Sequence, residues 1–452
     1  MWMAWLALAL TGACKDNDVK SAPPPGEVTP DVEAFRAALE ADGFAIQEGT
    51  VGFIDIDECC DWVSCFKWNP TSDYGAYFIP LAPEESASHL VAGSEFAFRM
   101  RPDEAVVYVG PTVTDVNYFS FRSYVHERWM PEVEARVPHF LSLGDSINHT
   151  VIGTESGGPF GAETVVITVA DHGIDRRVRA AAAGANYPEA WLNTDGVPPS
   201  VVELGLHDEA DTLRMNYRVA LWHDAEARED FLTAPPGVVW RLTPIEPVID
   251  LEPIPAPTVF RQPGTGVGES DLQPAVDALR EALLEAFPAH EAIEADVNVR
   301  EVDPDGDCWR GCNRDALESN TGPLTLADDP EDFVIAYGVN HQATGKAAYS
   351  NAILFGTDND DPAALVDSSM MVGSARDYLG DHPDVDLLFA WTFSRNCDGA
   401  VHCSQVEAAC PGMGMAEPGA IHFRAYLDPE TGTHPLASET ILDGAIRFKA
   451  PE

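Results

Sequence analysis

Residues 102–110, with the sequence PDEAVVYVG, have a close counterpart later in the chain at residues 330–338, PEDFVIAYG. Each stretch begins with proline and two acidic residues, continues as a run of strand-forming apolar residues and ends with glycine. Further pairs of segments match in the same order along the chain. The sequence therefore predicts a duplicated fold with two related sheets and a contact between the copies.

The further matches begin with an amphipathic helix at the start of each copy. The helices would bury Val32, Phe35 and Leu39 in the first copy, and Val276, Leu279 and Leu283 in the second. The later matches pair residues 164–170 with 386–393, the alternating strand 213–221 with 421–427, and Gly237-Val238-Val239 with Gly444-Ala445-Ile446.

Strands outnumber helices, and several neighbouring strands are joined by short turns. We therefore expect an α+β protein of two tandem homologous domains, each a mostly antiparallel sheet with packed helices. The predicted domains are residues 31–249 and 271–452, separated by a proline-rich linker at residues 250–270.

The composition limits the possible partners. The 452 residues carry a formal net charge of −47, from 74 acidic and 27 basic residues. A surface this negative repels phosphate backbones, so no nucleic-acid partner is expected. It suits a salty medium, in which counter-ions screen the self-repulsion, and cation binding is the alternative interpretation.

The N-terminus indicates export. The apolar run from Trp2 to Ala13 is too short to cross a membrane and has the length of a signal-peptide core. The residues Leu10-Thr11-Gly12-Ala13-Cys14 resemble the lipobox of bacterial lipoproteins. This resemblance implies a signal peptide at residues 1–14, a lipid on Cys14, and a tether at residues 15–30. The protein would then be anchored in the bacterial cell envelope, facing the periplasm or the outer surface. An ordinary signal peptide is the alternative.

The other eight cysteines are typical of an oxidising compartment. An even number permits up to four disulfides, although spacing alone does not determine their pairing, and zinc binding is the alternative. The candidates are Cys59, Cys60, Cys65, Cys308, Cys312, Cys397, Cys403 and Cys410.

The most polar loop beside a buried strand provides the main candidate catalytic site. It contains Asn340, His341, Thr344 and Lys346, and Lys346 is one of only five lysines. These side chains could bind an anion or stabilise an oxyanion, with His341 as acid or base. The matching turn of the first copy, residues 111–117, lacks both His and Lys. The alternative is a hairpin whose polar groups bond its own backbone.

Two further segments have weaker signals. Asp171 and His172 follow a buried strand and precede a predicted helix, so they are either catalytic or, for Asp171, a helix cap. Asp303, Asp305 and Asp307 alternate as calcium ligands do, although the EF-hand pattern is incomplete. Calcium is thus the candidate cofactor for these aspartates.

Three functions remain open from the sequence. The leading hypothesis is a lipid-anchored envelope protein that binds a small or polymeric extracellular ligand. The second is an extracytoplasmic enzyme that acts through His341 and Lys346. The third is a structural or adhesion protein that depends on calcium.

Substitution of Cys14 tests the lipid anchor. In a bacterial host, Cys14→Ser removes the only thiol that the lipobox could present, so we expect palmitate labelling to disappear and the protein to leave the membrane fraction. Lys20→Ser in the tether is the control and should stay labelled. Full labelling of the Cys14→Ser variant would contradict the lipoprotein resemblance.

Overall fold

The computed structural model describes residues 29–54, 67–83, 85–86, 96–257, 260–300, 315–327, 329, 331–356, 361–406 and 419–450. These residues form mainly β-strands in several sheets, with a smaller share of helix. None of their helices combines the length and the apolar character needed to cross a membrane. We call residues 29–257 the N-terminal half and residues 260–450 the C-terminal half.

The described residues of the N-terminal half form three α-helices and ten strands. The helices are α1 (Val32–Ala41), α2 (His172–Gly184) and α3 (Ala225–Thr233). The strands are β1 (Phe44–Ile54), β2 (Ser72–Phe78), β3 (Ala105–Pro111), β4 (Val116–Met130), β5 (Ala135–Ser142), β6 (Ile147–Asn148), β7 (Glu163–Val169), β8 (Leu192–Gly196), β9 (Thr212–Trp222) and β10 (Val238–Pro244).

The described part of the C-terminal half contains two helices and ten strands. The helices are α4 (Gln273–Ala286) and the single turn α5 (Arg376–Leu379). The strands are β11 (Glu291–Glu294), β12 (Val297–Arg300), β13 (Ala316–Thr321), β14 (Phe333–Val339), β15 (Tyr349–Phe355), β16 (Pro362–Asp367), β17 (Leu388–Ser394), β18 (Cys403–Gln405), β19 (Ala420–Tyr426) and β20 (Gly444–Lys449).

The two halves join their strands in the same order. The N-terminal path runs β5-β4-β9-β2-β1-β10-β3-β7-β8, with β6 beside β4, and the C-terminal sheets run β11-β20-β14-β17-β18 and β12-β13-β19-β15-β16. The long strand β1 pairs with β10 through its first residues and with β2 through its last. In the C-terminal half two separate strands take these positions: β11 pairs with β20, and β12 pairs with β13. Each half has one parallel pair, β7–β8 or β17–β18, and its other described ladders are antiparallel.

Each half is built of three layers. The sheets that pack against the helices are β1-β10-β3-β7-β8 and β11-β20-β14-β17-β18, and we call them the helix-side sheets. The sheets through which the two halves touch are β1-β2-β9-β4-β5 and β12-β13-β19-β15-β16, and we call them the contact-side sheets. In β3, Ala105, Val107 and Val109 pack against the helices, whereas Val106 and Tyr108 pack against the contact-side sheet. Because both faces are covered, the strand is a continuous apolar run.

The layers confirm part of the predicted fold. The antiparallel pairing and the packed helices are as expected, but the strands of each half form two packed layers rather than one, and β1 joins the two layers of the N-terminal half. The sequence pattern did not distinguish these cases, because an apolar run shows that both faces of a strand are buried and not what covers them.

The predicted opening helices form in both halves. The Asp31 side chain accepts two backbone N–H groups at the start of α1. Phe35 and Leu39 of α1, and Leu279 and Leu283 of α4, are fully buried against the helix-side sheets. Burial of a side chain of this size contributes about 1.5–3 kcal/mol.

One predicted correspondence is wrong by one residue. The sequence comparison matched Val239 with Ile446 through the glycines that precede them. In the structure, Val239 packs between the sheets as Ala445 does, whereas Trp240 and Ile446 pack against the helices. Successive side chains of a strand lie on opposite faces, so burial identifies the matching residues more reliably than the glycines.

The halves meet through their contact-side sheets. Tyr118 and Ala220 of the N-terminal half pack with Tyr349 and Tyr426 of the C-terminal half. The stacked rings of Tyr349 and Tyr426 have centroids 4.4 Å apart, and Tyr118 lies 5.6 Å from Tyr349. Tyr118 and Tyr349 occupy matching positions, opposite Ala220 and Tyr426 in their ladders.

Buried polar groups cross the same interface. The Asp315 carboxylate accepts hydrogen bonds from Tyr118 Oη at 2.6 Å and from Arg122 Nη2 at 2.9 Å. Burial disfavours the charged carboxylate, but Arg122 holds the pKa of Asp315 below its usual value. Asn69 Nδ2 also donates to Tyr349 Oη at 3.1 Å. These bonds give the contact between halves a specific geometry.

Substitution of Asp315 tests the strength of this interface. Asp315→Ala leaves a buried guanidinium without its carboxylate, so the free energy of unfolding should fall by about 3–5 kcal/mol in a denaturant titration. Glu252→Ala, which removes an exposed partner of Arg176, is the control and should change it far less. Equal losses in the two variants would show that the Arg122–Asp315 pair has no special role.

Candidate functional site

The predicted catalytic loop connects β14 to β15 and folds as a compact turn. Asn340 holds this turn, because its Oδ1 accepts the backbone N–H groups of Gln342 and Ala343 at 3.2 and 3.3 Å. Its Nδ2 donates to the Ser368 carbonyl oxygen at 2.9 Å. Asn340 is buried, so its polar atoms serve the local backbone, as the hairpin alternative predicted.

His341 is buried between two carboxylates. Its Nδ1 lies 3.0 and 2.9 Å from the two oxygens of Glu269, and its Nε2 lies 3.7 Å from Asp443 Oδ2. Burial alone would lower the pKa of His341, but Asp443 and Glu269 outweigh it and raise the pKa to about 10. Thr344 Oγ1 donates to the same Glu269 at 2.6 Å.

Lys346 belongs to a second cluster of acceptors. Its Nζ lies 2.5 Å from Glu439 Oε2 and 3.1 Å from Asp428 Oδ2. It also donates to Thr265 Oγ1 and to the Val267 carbonyl oxygen, both at 3.0 Å. Burial opposes the charged amine, but these carboxylates raise the pKa of Lys346 above its ordinary value.

These contacts give the loop a positioning role. His341 and Lys346 stay protonated near neutral pH, and each is paired with carboxylates, so neither is available as a general base. Both bind the segment that precedes α4, through Glu269 in one case and Thr265 in the other. The predicted catalytic role is therefore left without support from the geometry.

The sequence did not indicate the acidic partners of this loop. Glu269, Asp428, Glu439 and Asp443 come from three separate segments, and no motif distinguishes them among 74 acidic residues. Tertiary contact alone brings them to the hairpin.

Asp171 acts as the cap of α2. Its Oδ1 accepts the Ile174 N–H at 2.9 Å, and its Oδ2 accepts the backbone N–H of Glu252. His172 lies at the exposed start of the helix, where its backbone N–H donates to the Glu252 carbonyl oxygen at 2.8 Å. The arrangement is that of the capping alternative, and it places a carboxylate at the positive end of the helix.

A disulfide joins Cys397 and Cys403 between β17 and β18, as predicted for part of the cysteine set. Among the residues that the structure describes, no group of His, Cys, Asp and Glu side chains is arranged to hold a metal ion. Several predicted site residues lie outside the described residues, namely Cys14, Cys59, Cys60, Cys65, Asp303, Asp305, Asp307, Cys308, Cys312 and Cys410.

A groove of about 840 Å³ lies between the halves and beside the loop. We call it the inter-half groove. A volume of this size is in the range of small-molecule sites. Side chains that line it come from both halves, including Asp73, Asn117, Trp222 and Arg228 from the first and Gln342 and Ser369 from the second.

One carboxylate orders the N-terminal wall of the groove. Asp73 Oδ2 accepts from Trp222 Nε1 at 2.7 Å and from Arg228 Nε at 2.9 Å, and its Oδ1 accepts from Arg228 Nη2 at 2.5 Å. These hydrogen bonds raise the pKa of Arg228. The indole and the guanidinium are thus held by the same anion.

His223 lies at the rim of the same wall and is exposed. Its Nδ1 is 2.8 Å from Asp115 Oδ1, and its Nε2 is 2.5 Å from Asn117 Oδ1. Sequence reasoning missed the groove, because its walls come from distant segments. The one local indication of the groove in the sequence was the pair Trp222-His223, which directly follows the alternating strand predicted at residues 213–221.

Comparisons with known proteins add little. No protein-family model matches the chain. No curated protein matches it either. Among solved structures, the chain is similar to the partial N-terminal region of enterococcal surface protein at 6% identity, with a TM-score of 0.18, over 91% of this chain and 96% of that one. A TM-score this low supports no conclusion about fold or function.

The pH dependence of stability tests the His341 cluster. Below about pH 6.5 both folded and unfolded chains carry the imidazole proton, and between about 6.5 and 10 only the folded chain keeps it. The free energy of unfolding should therefore fall as pH rises through this window, by at most about 1.4 kcal/mol per pH unit from this group. Urea titrations between pH 6 and 9 measure the slope.

The His341→Gln variant should lose most of that slope. It should also be less stable at pH 7, because Glu269 and Asp443 lose their shared cation. His172→Gln, at an exposed position, is the matched control and should keep the wild-type slope. An unchanged slope in His341→Gln would show that the imidazole is not the titrating group.

Proposed function

We propose that this protein is an exported, lipid-anchored binding protein whose extracellular ligand occupies the inter-half groove. The observation that supports this proposal most directly is the groove itself, to which both halves contribute polar side chains. Sites between structural units are common places for ligands, because two walls can enclose a molecule.

The hairpin of His341 and Lys346 contributes to this site by holding one wall. Its ion pairs attach it to the segment before α4 and to the loops that carry Asp428 and Glu439. The same hairpin lines the groove with Gln342. These buried ion pairs therefore hold the C-terminal wall of the groove in place, although the wall itself carries few charges. A wall that is already ordered loses less conformational entropy when a ligand binds.

We also propose that the two halves are tandem copies of one domain. Their common strand order supports this, as does the contact between Tyr118 and Tyr349. A rarer feature points the same way. Leu221 and Leu427 occupy matching positions three residues after Arg218 and Arg424, and both have positive φ, at 55° and 57°. Such a backbone is unusual for leucine, so its recurrence at matching positions favours common descent over chance.

Location in the cell envelope is part of the same proposal. The lipobox-like segment before Cys14 supports a lipid anchor, and the disulfide Cys397–Cys403 is typical of an oxidising compartment. The net charge of −47 disfavours nucleic acid as the ligand. The protein would then bind the membrane only through the lipid on Cys14.

A thermal-unfolding screen tests the binding proposal. The probes are monosaccharides, short peptides and organic acids, and a true ligand at 100 times its Kd stabilises the fold by about 2.7 kcal/mol. Asn117→Ala and Gln342→Ala remove groove amides and should abolish the shift. Asn298→Ala, exposed on β12 and not part of the groove lining, should retain it.

Two results would overturn the proposal. A shift that persists in both groove variants would locate the ligand elsewhere. The lack of a shift with every class of probe would argue against a small-molecule binding function.

A further inference from the structure

We infer that the inter-half groove selects a neutral saccharide, an inference that rests on the proposed binding function. It draws on three features of the groove: its charge balance, the geometry of its hydrogen-bonding groups and its ordered aromatic ring.

One of the two carboxylates that line the groove is paired with a cation, and the other is hydrogen-bonded to a serine. Asp73 is paired with Arg228, and Asp367 Oδ1 accepts the N–H and the Oγ–H of Ser369 at 2.8 and 2.5 Å. An anionic ligand would also meet the repulsive field of a chain with net charge −47. A cation would compete for carboxylate oxygens that already accept hydrogen bonds. A neutral polar ligand avoids both costs.

The polar groups of the groove match neighbouring hydroxyl groups. Gln342 presents an amide that can both donate and accept, and Arg228 and Asn117 each keep N–H groups beyond those bonded to Asp73 and Ala348. Vicinal hydroxyls of a sugar ring donate and accept at a similar spacing. Because Asp73 already holds the Arg228 side chain in place, little rotamer entropy is lost when a ligand binds.

Trp222 supplies an aromatic surface of fixed orientation. Its indole N–H is bonded to Asp73, and its ring lies 5.5 Å from that of Phe231. An indole with its polar edge satisfied offers an apolar face, and the C–H face of a sugar ring packs well on such a surface. Val372, which is 63% exposed, adds apolar surface on the opposite wall.

A glycan array with neutral and acidic glycans tests the inference, followed by calorimetric titration of any neutral oligosaccharide that binds. Trp222→Ala should weaken binding at least about tenfold, a loss of roughly 1.4 kcal/mol, whereas Trp222→Phe should retain most of the affinity. Gln342→Ala changes no packed ring and serves as a second variant if Trp222→Ala folds poorly. Asn298→Ala is the control and should bind as the wild type does.

The outcomes separate the two proposals. Binding of neutral glycans that is lost in the groove variants supports both. Stabilisation by peptides or organic acids that depends on the groove, without glycan binding, would overturn the saccharide inference and leave the binding function standing. Glycan binding that is unchanged in Trp222→Ala and Gln342→Ala would overturn both, because the ligand would then lie outside the groove.

Discussion

The contact between the two contact-side sheets is the interaction on which the rest of the structure depends. Tyr118, Tyr349 and Tyr426 form its apolar centre, and the Arg122–Asp315 pair crosses it in a fully buried position. Aromatic packing buries a large apolar area, whereas hydrogen-bonded charges tolerate little displacement. Together they hold the halves in one relative position, and the inter-half groove exists only because that position is maintained.

The distribution of charge explains how so acidic a chain remains compact. Several of its few cations are used in the interior, where Lys346 pairs with Asp428 and Glu439 and Arg241 pairs with Glu85 and Glu104. Buried pairs are screened little by salt, whereas the repulsion between exposed carboxylates is screened strongly. Salt therefore weakens the repulsion between the surface carboxylates but has little effect on these buried ion pairs. Removal of one partner from such a cluster leaves an uncompensated buried charge, so each cluster strongly stabilises the contact between the segments that it joins.

The surroundings of the candidate loop determine which role its polar side chains have. Asn, His, Thr and Lys side chains in one loop can support acid–base chemistry, but the same groups also suit a network that ties a hairpin to its neighbours. Glu269 decides between these roles, because it accepts from both His341 and Thr344. The loop also places Gln342 at the groove, next to a wall ordered by Asp73.

The sequence alone determined the elements whose signals are local. It indicated the paired apolar strands at residues 102–110 and 330–338 and the opening helices with Phe35 and Leu279 on their buried faces, because periodicity and propensity act over a few residues. Only the tertiary structure decided that each half has two sheet layers, that His341 meets Glu269, and that Asp73 and Gln342 line one groove. Those relations join residues tens to hundreds of positions apart, and their energies arise from burial and charge pairing that no local pattern encodes.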